Sequence, residues 1–226
     1  MIMKKIIVSL SLLAVSFSLF AQARPQKDTL SSPIPEELQA LRTASSLAMY
    51  GYKNESASAL VEAAKIFNSV PTQEMEVRED SSPTREITPG SGVSFDPKQL
   101  IADAKEMAGR DKELLAYINK VEKTIGRAKR GAIGGPVIKT SMVLTLSTDQ
   151  YLIKFAGGRK ASVVLEGTDI SDLDLYIYDE NENLICYDDD ATSECALSFT
   201  PRWDGYFIIA VVNNGLLPNP YLLCTN

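Results

Sequence analysis

The sequence contains no histidine among its 226 residues. This absence excludes Ser-His-Asp and Cys-His catalytic groups, and it excludes zinc sites that use histidine. The glycine-rich phosphate loop, the dinucleotide-binding GxGxxG motif and the Ser-x-x-Lys pair are missing as well. Carboxylate pairs are what remains for catalysis. The sequence therefore favours a non-catalytic protein, and a small secreted hydrolase that uses carboxylates is the alternative.

Long apolar runs are also scarce. The one long apolar run lies at the start of the sequence. Residues 1–23 contain two lysines, an apolar run at Ile6–Phe20 and small residues before a cleavage point after Ala23. This pattern is typical of a signal peptide. The run is shorter than the ~20 residues of a membrane span, and a polar stretch follows it. We therefore expect an exported protein, periplasmic or secreted, with no membrane span after cleavage.

Basic residues are few in the C-terminal third. Without residues 1–23 the chain has 21 basic and 29 acidic residues, and from Tyr151 onward it has 4 basic and 12 acidic residues. The excess negative charge therefore belongs to the last third. Such a surface repels nucleic acid and attracts cations or basic partners. We expect no nucleic-acid partner, and the basic cluster at Arg127, Lys129 and Arg130 is interpreted as solvated.

Cysteine occurs only as Cys186, Cys195 and Cys224. Disulfides persist in exported proteins, and an odd number leaves one thiol over or paired between chains. Cys186 and Cys195 flank the acidic loop, so a disulfide between them is predicted, with Cys195–Cys224 as the alternative. Buried thiols are the other interpretation.

Two helical hairpins are predicted in residues 24–130. Apolar residues recur at helical spacing after Pro35, after Asn54, after Asp96-Pro97 and after Asp111. Proline in the first turn and aspartate at the N-cap are typical helix starts. We interpret these stripes as core or partner-facing surfaces.

Two breaks divide this region, and a third follows its end. Gly51 is expected to end the first helix. Thr72–Ser94 is charged and contains proline, so it is predicted to be a long loop that is mobile in part. Residues 131–136 contain several glycines and are predicted to be the linker to a second domain.

From residue 137 to residue 226 the apolar period changes to two, which is typical of β-strands. Short strands separated by turn residues predict an antiparallel β-sandwich, and with the helices an α+β protein whose two parts are segregated. The predicted strands are Val137–Ser147, Tyr151–Phe155, Ala161–Leu165, Leu173–Tyr178, Asn183–Tyr187, Cys195–Thr200, Tyr206–Asn213 and Tyr221–Thr225.

The stretch DLDLYIYDENENLICYDDD places acids around two of these strands. Leu173 and Leu175 are expected to face the core, so Asp172 and Asp174 face outward. A tight turn at Asp179–Asn183 would bring them close to the acids that end the next strand. Carboxylates that converge repel one another unless a cation or hydrogen-bond donors neutralise them.

Calcium suits a cluster of oxygen ligands at strand ends and loops. We therefore predict a calcium site at Asp172, Asp174, Asp188, Asp189 and Asp190. Three alternatives stay open. The N–H groups of the turn, or Lys154 and Arg159, neutralise the acids, or Asp172 forms a catalytic pair with Asp174 or Asp188.

Aromatic residues suggest a second use of this surface. Tyr176 and Tyr178 are expected to face outward, and Trp203 lies in a nearby turn. Together they could form a platform for a sugar or a protein. The alternative is burial under neighbouring elements, with Trp203 packing on its own turn.

Several segments in order resemble the bacterial pre-peptidase C-terminal domain family over residues 151–226. They are DLDLYIYD, the PRWDGY turn into the apolar strand FIIAVVN, and the closing strand around YLL. The resemblance implies a jelly-roll-like β-sandwich that serves as an accessory module, often appended to secreted peptidases. Some members of the family bind calcium or extracellular polymers.

We expect a protein or an extracellular polymer as ligand, and no cofactor besides calcium. No peptidase sequence precedes the module, only the helical region, which resembles no family that we recognise. The peptidase link therefore supports only the hypothesis of an accessory partner of a secreted peptidase.

Overall fold

A computed structural model of the chain describes residues 33–78, 81–85, 87, 93–126 and 135–226, together with the short strand at residues 26–27. Residues 1–23, which carry the predicted signal peptide, and residues 131–134 of the predicted linker lie outside these described residues. None of the helices in the described ranges has the length and apolar character that crossing a membrane requires.

In the part of the N-terminal region that the structure describes, four helices are present, as the apolar spacing predicts. They are α1 (Glu36–Lys53), α2 (Ala57–Ser69), α3 (Pro97–Ala108) and α4 (Lys112–Glu122). The side chains of Asp96 and Asp111 accept hydrogen bonds from backbone N–H groups in the first turns of α3 and α4. They therefore cap these helices, as predicted. Ser56 caps α2, which we did not predict.

The expected end of α1 at Gly51 is wrong. The helix continues to Lys53, and Gly51 is needed for another reason. A Cβ atom at this position would overlap the side chain of Leu60 on α2. Glycine therefore allows the close approach of two helices here instead of ending one.

Within the described residues, ten strands form two sheets. They are β1 (Gln26–Lys27), β2 (Gln73–Glu74), β3 (Val137–Val143), β4 (Thr148–Phe155), β5 (Ala161–Gly167), β6 (Leu173–Tyr178), β7 (Leu184–Asp188), β8 (Glu194–Phe199), β9 (Gly205–Asn213) and β10 (Asn219–Thr225). The order is β1-β7-β6-β9-β4 in the first sheet and β2-β3-β10-β5-β8 in the second. All eight predicted strands are present, and the α+β sandwich is confirmed.

The two sheets enclose one core, and the helices build another on the outer face of the second sheet. Leu175, Ile209 and Leu223 are fully buried between the sheets. On the other side of the second sheet, Val164 and Leu222 belong to the same apolar cluster as the helices. Strands β5 and β10 are therefore buried on both faces. The division into domains at residues 24–130 and 137–226 stays a prediction.

Part of the predicted loop at Thr72–Ser94 lies along the sandwich, and the expectation that the loop is mobile in part stays a prediction. Strand β2 pairs in parallel with β3, and Met75 is buried in the core between the sheets. The Ser82 N–H donates to the carbonyl of Gln150 on β4 at 2.7 Å. We name residues 73–78 and 81–85 the edge segment, because they follow the border of the sandwich.

Candidate functional site

Pairing of β6 with β7 brings the predicted acids together. Tyr176 lies opposite Tyr187, and Leu175 lies opposite Asp188. The chain beyond Asp188 therefore passes beside the start of β6, where Asp172 and Asp174 lie. The predicted neighbourhood of the two groups of acids is thus present. We name Asp172, Asp174 and Asp188–Asp190 the acid cluster.

Asp174 is almost completely buried, and neutral donors stabilise its charge. One carboxylate oxygen accepts hydrogen bonds from Asn214 Nδ2 at 2.7 Å and from the Tyr176 hydroxyl at 3.1 Å. Burial, together with the charge and hydrogen bond of Asp174, raises the pKa of Tyr176 to about 12. The tyrosine therefore remains a donor to this carboxylate at neutral pH.

Asp172 has one carboxylate oxygen that lacks a hydrogen-bond donor in the described part of the chain. Its Oδ1 atom is shielded from solvent and accepts no hydrogen bond from the described residues. Burial raises the pKa of its carboxyl group, and the charges of Asp174, Asp190 and Asp189 raise it further. This carboxylate would gain the most from a cation close to it.

Nearby backbone and hydroxyl groups hold the remaining acids in place. Asp190 accepts hydrogen bonds from the N–H and hydroxyl of Thr192, the latter at 2.6 Å. Asp188 accepts from the N–H of Ala196 on β8. In the turn between β6 and β7, the N–H groups of Asn181 and Asn183 donate to Asp179 at 2.8 and 2.9 Å. These donors therefore bind Asp179 and not the acid cluster.

Within the described parts of the chain, no group of three histidine, cysteine or carboxylate side chains is arranged to hold a metal ion. The donors around Asp174, Asp188 and Asp190 already take up part of their hydrogen-bonding capacity. Calcium at the acid cluster stays a prediction, and Asp172 is the member whose environment fits it best.

An open cleft of about 650 Å³ lies beside the acid cluster, between α1 and the sandwich. Asp172, Asp188, Asp190 and Glu194 contribute carboxylates to its lining, and Arg42 contributes the opposite charge. The cleft is therefore mostly acidic. Its charge suits a positively charged group better than a negatively charged one.

Three tyrosines form a row on the outer face of the first sheet. The ring of Tyr176 stacks on Tyr178 at 6.3 Å between centroids and on Tyr187 at 5.9 Å. All three side chains are half-buried. We name them the tyrosine row. Tyr187 was missed in the sequence, although its alternation on β7 places it on the same face as Tyr176.

Trp203, the third residue of the predicted platform, does not stack on the tyrosine row. Its ring stacks on Phe207 at 5.8 Å between centroids. A Cβ atom at Gly205 would lie 2.8 Å from the indole ring, so the side chain folds over its own turn. This position agrees with the alternative that Trp203 packs on the turn, although 38 % of the residue is exposed.

The structure contains neither predicted disulfide, since Cys186, Cys195 and Cys224 are buried thiols. The thiol of Cys195 donates to the carbonyl oxygen of Leu173 at 3.1 Å. Burial raises the pKa of the Cys195 and Cys224 thiols. They are therefore poor nucleophiles at neutral pH.

No protein-family model matches the chain, and no curated protein matches it. Among solved structures it is similar to the mitogen derived from Yersinia pseudotuberculosis, with 16 % identity, a TM-score of 0.35, and coverage of 42 % of this chain and 86 % of that one. It is also similar to PliG, a periplasmic inhibitor of g-type lysozyme from Aeromonas hydrophila, with 12 % identity, a TM-score of 0.34, and coverage of 43 % and 90 %.

A third similar structure is the pre-peptidase C-terminal domain of a collagenase from Bacillus anthracis. The identity is 16 % and the TM-score is 0.28, and the match covers 39 % of this chain and 88 % of the collagenase domain. The resemblance to the pre-peptidase C-terminal family rests on the sequence segments DLDLYIYD, PRWDGY and YLL.

Proposed function

We propose that the protein is an exported, non-catalytic binding module. In this proposal the sandwich binds a protein or an extracellular polymer through the outer face of its first sheet, and the helices serve as a scaffold on the second sheet. Calcium at the acid cluster would belong to the same surface.

The tyrosine row is the observation that carries this proposal. The helices pack on the second sheet, whereas the rings of Tyr176, Tyr178 and Tyr187 stay partly exposed on the first. Tyrosine presents a large rigid area to a ligand and loses little conformational entropy when it binds. The hydroxyl groups add hydrogen bonds, so the surface suits a partly polar ligand.

The chemistry of the acids supports a binding role over a hydrolytic one. Asp174 is buried and hydrogen-bonded to two neutral donors. A general acid or a nucleophile must reach the substrate, and this carboxylate is covered. The alternatives, a carboxylate hydrolase and an accessory partner of a secreted peptidase, are separated from the proposal by experiment.

Binding is tested with a panel of extracellular polysaccharides and with a secreted peptidase, using the full chain and the double variant Tyr176→Ser/Tyr178→Ser. The control is Tyr50→Ser, which changes a tyrosine on α1 that is 58 % exposed. We expect the double variant to weaken binding roughly tenfold or more and the control to leave it unchanged. Turnover of any member of a glycan and peptide panel would support the hydrolase instead.

A further inference from the structure

Two loops at one end of the sandwich expose leucine side chains to solvent. One loop, residues 144–147, joins β3 to β4, and the other, residues 214–218, joins β9 to β10. Leu144, Leu146, Leu216 and Leu217 are between 41 % and 78 % exposed. Single exposed leucines are common, but four on adjoining loops form an apolar patch of the kind found at interaction sites. We name them the leucine tip.

Hydrogen bonds hold the two loops against each other. The N–H of Leu146 donates to the carbonyl of Gly215 at 3.2 Å. The side-chain amide of Asn213, which is buried, donates to the carbonyls of Leu144 at 3.1 Å and Leu217 at 2.8 Å. The leucine tip is therefore built into the fold and is not a pair of independent loops.

Leu146 adopts a backbone conformation that leucine rarely takes. Its φ angle is +48°, in the left-handed region, where asparagine and glycine are accommodated at lower cost. The side chain is 66 % exposed, so it gains little from packing inside the protein. A contact outside the chain would give this exposed leucine a role.

The leucine tip lies directly beside the acid cluster. The N–H of Asn214 donates to the carbonyl of Asp172 at 3.2 Å, and its side chain donates to Asp174. A Cβ atom at Gly215 would overlap Ser171, so the backbone of this loop lies on the chain that leads into Asp172. An apolar patch is thus bordered on one side by carboxylates.

We propose that the leucine tip and the acid cluster together dock a protein partner that has an apolar centre bordered by lysine or arginine side chains. The inference rests on the proposed function, because it makes the ligand of the module a protein. Interfaces commonly combine an apolar centre with a charged rim, and complementary charge selects the partner.

Charge also distinguishes this partner from the other occupants of an apolar patch. A second copy of the chain, docked tip to tip, would bring two acid clusters close together, and like charges at an interface oppose association. An anionic lipid surface would be repelled by the same carboxylates. A basic protein gains from both parts of the surface.

The test uses synthetic amphipathic peptides of leucine and lysine, with a leucine and glutamate peptide of the same pattern as the matched probe. Binding to the full chain is measured by fluorescence anisotropy, and the contact is mapped by NMR chemical-shift changes. We expect the lysine peptide to bind, the glutamate peptide not to bind, and the shifts to fall on residues 144–147, 214–218 and the acid cluster.

Two variants and one control locate the effect. We expect weaker binding of the lysine peptide to Leu216→Ser/Leu217→Ser and to Leu146→Asn, because each variant removes exposed apolar surface from the leucine tip. The affinity should fall roughly tenfold in the first variant. Asparagine tolerates the backbone of residue 146, so this variant keeps the loop. Tyr50→Ser, on α1, should leave the affinity unchanged.

Two peptide results would overturn the inference: equal affinity for the lysine and glutamate peptides, or a loss of affinity in Tyr50→Ser equal to that in the leucine variants. Two other results would overturn it as well: self-association measured by light scattering, or binding to phosphatidylcholine vesicles, that the leucine variants abolish. Failure of this inference can be told apart from failure of the proposed function. If Tyr176→Ser/Tyr178→Ser weakens the binding of a ligand and the leucine variants do not, the binding module stands and the leucine tip is not its docking surface.

Discussion

Arg42 on α1 donates a hydrogen bond from Nε to Oε1 of Glu166 on β5 at 2.6 Å, across 124 positions of sequence. Glu166 is fully buried, and a second contact at 3.3 Å joins Arg42 to Glu194 on β8. The other oxygen of Glu166 accepts no hydrogen bond from the described residues. One arginine therefore neutralises the buried carboxylate between the helices and the second sheet.

Replacing Arg42 with methionine should destabilise the fold strongly, because Glu166 loses its counter-charge. We expect a loss of about 3–5 kcal/mol in the free energy of unfolding, measured with urea near pH 8. The control is Lys53→Met, which breaks an exposed pair with Asp169 and should cost less than about 1 kcal/mol. Equal losses in the two variants would contradict a buried ion pair.

Stability should fall as the pH rises through the range in which Glu166 loses its proton. Burial raises the pKa of Glu166 from its ordinary 4.5 to about 7, against the opposing effect of Arg42. The folded state therefore binds this proton more tightly than the unfolded state. The resulting stabilisation is present below about pH 4.5 and is lost as the pH rises to about 7.

The measurement is the free energy of unfolding between about pH 4.5 and 8, for the wild type and for Glu166→Gln. The difference between the two should change by on the order of 3 kcal/mol across this range, since one pKa unit corresponds to about 1.4 kcal/mol. Glu113→Gln, at an exposed position on α4, should keep the pH dependence of the wild type. A parallel profile for Glu166→Gln would mean that this carboxyl group does not titrate in the range.

Arg85 should anchor the edge segment to the sandwich. Its guanidinium donates to Asp149 at 2.6 Å, and the fully buried Asp149 also accepts a hydrogen bond from the hydroxyl of Tyr221 at 3.0 Å. Arg85→Met leaves this carboxylate without a counter-charge, so we expect a loss of about 3 kcal/mol and faster cleavage of the edge segment by a non-specific protease.

The matched control is Arg78→Met. Arg78 lies over the ring of Tyr206 at 5.2 Å from its centroid, and such an exposed contact is worth about 0.5–1 kcal/mol. Cleavage of both variants at the same rate would show that the pair of Arg85 and Asp149 does not hold the edge segment.

Thiol titration decides the state of the cysteines. We expect three reactive thiols per chain after unfolding and very slow reaction of the native protein, because Cys186, Cys195 and Cys224 are buried. A count of one thiol in unfolded, exported material would restore a disulfide, and peptide mapping would then show whether Cys186 or Cys224 pairs with Cys195.

Calcium at the acid cluster is tested by thermal unfolding in calcium and in chelator. If the ion binds only the folded state, a hundredfold excess over Kd stabilises it by about 2.7 kcal/mol. We expect Asp172→Asn to reduce this effect, because the Oδ1 atom of Asp172 lacks a donor. Identical melting of the wild type in both solutions would show that hydrogen bonds alone neutralise the acids.

Much of the architecture follows from local signals. The change of apolar period at residue 137 predicts the sandwich, and Asp96 and Asp111 mark two helix starts correctly. Alternation on β6 and the short turn after it predict that Asp172 and Asp174 lie beside the acids that follow β7. These features depend on neighbours within a few residues, so the sequence carries them directly.

Only the tertiary structure decided which polar groups are buried and what neutralises them. Glu166 and Asp149 are ordinary strand acids in the sequence, and their partners Arg42 and Arg85 lie 124 and 64 positions away. The sequence predicts a helix end at Gly51, because the contact of Gly51 with Leu60 arises only where α1 packs on α2. Strand periodicity therefore comes from the sequence alone, whereas burial, charge pairing and the exposed leucine tip depend on distant segments that meet only in the folded chain.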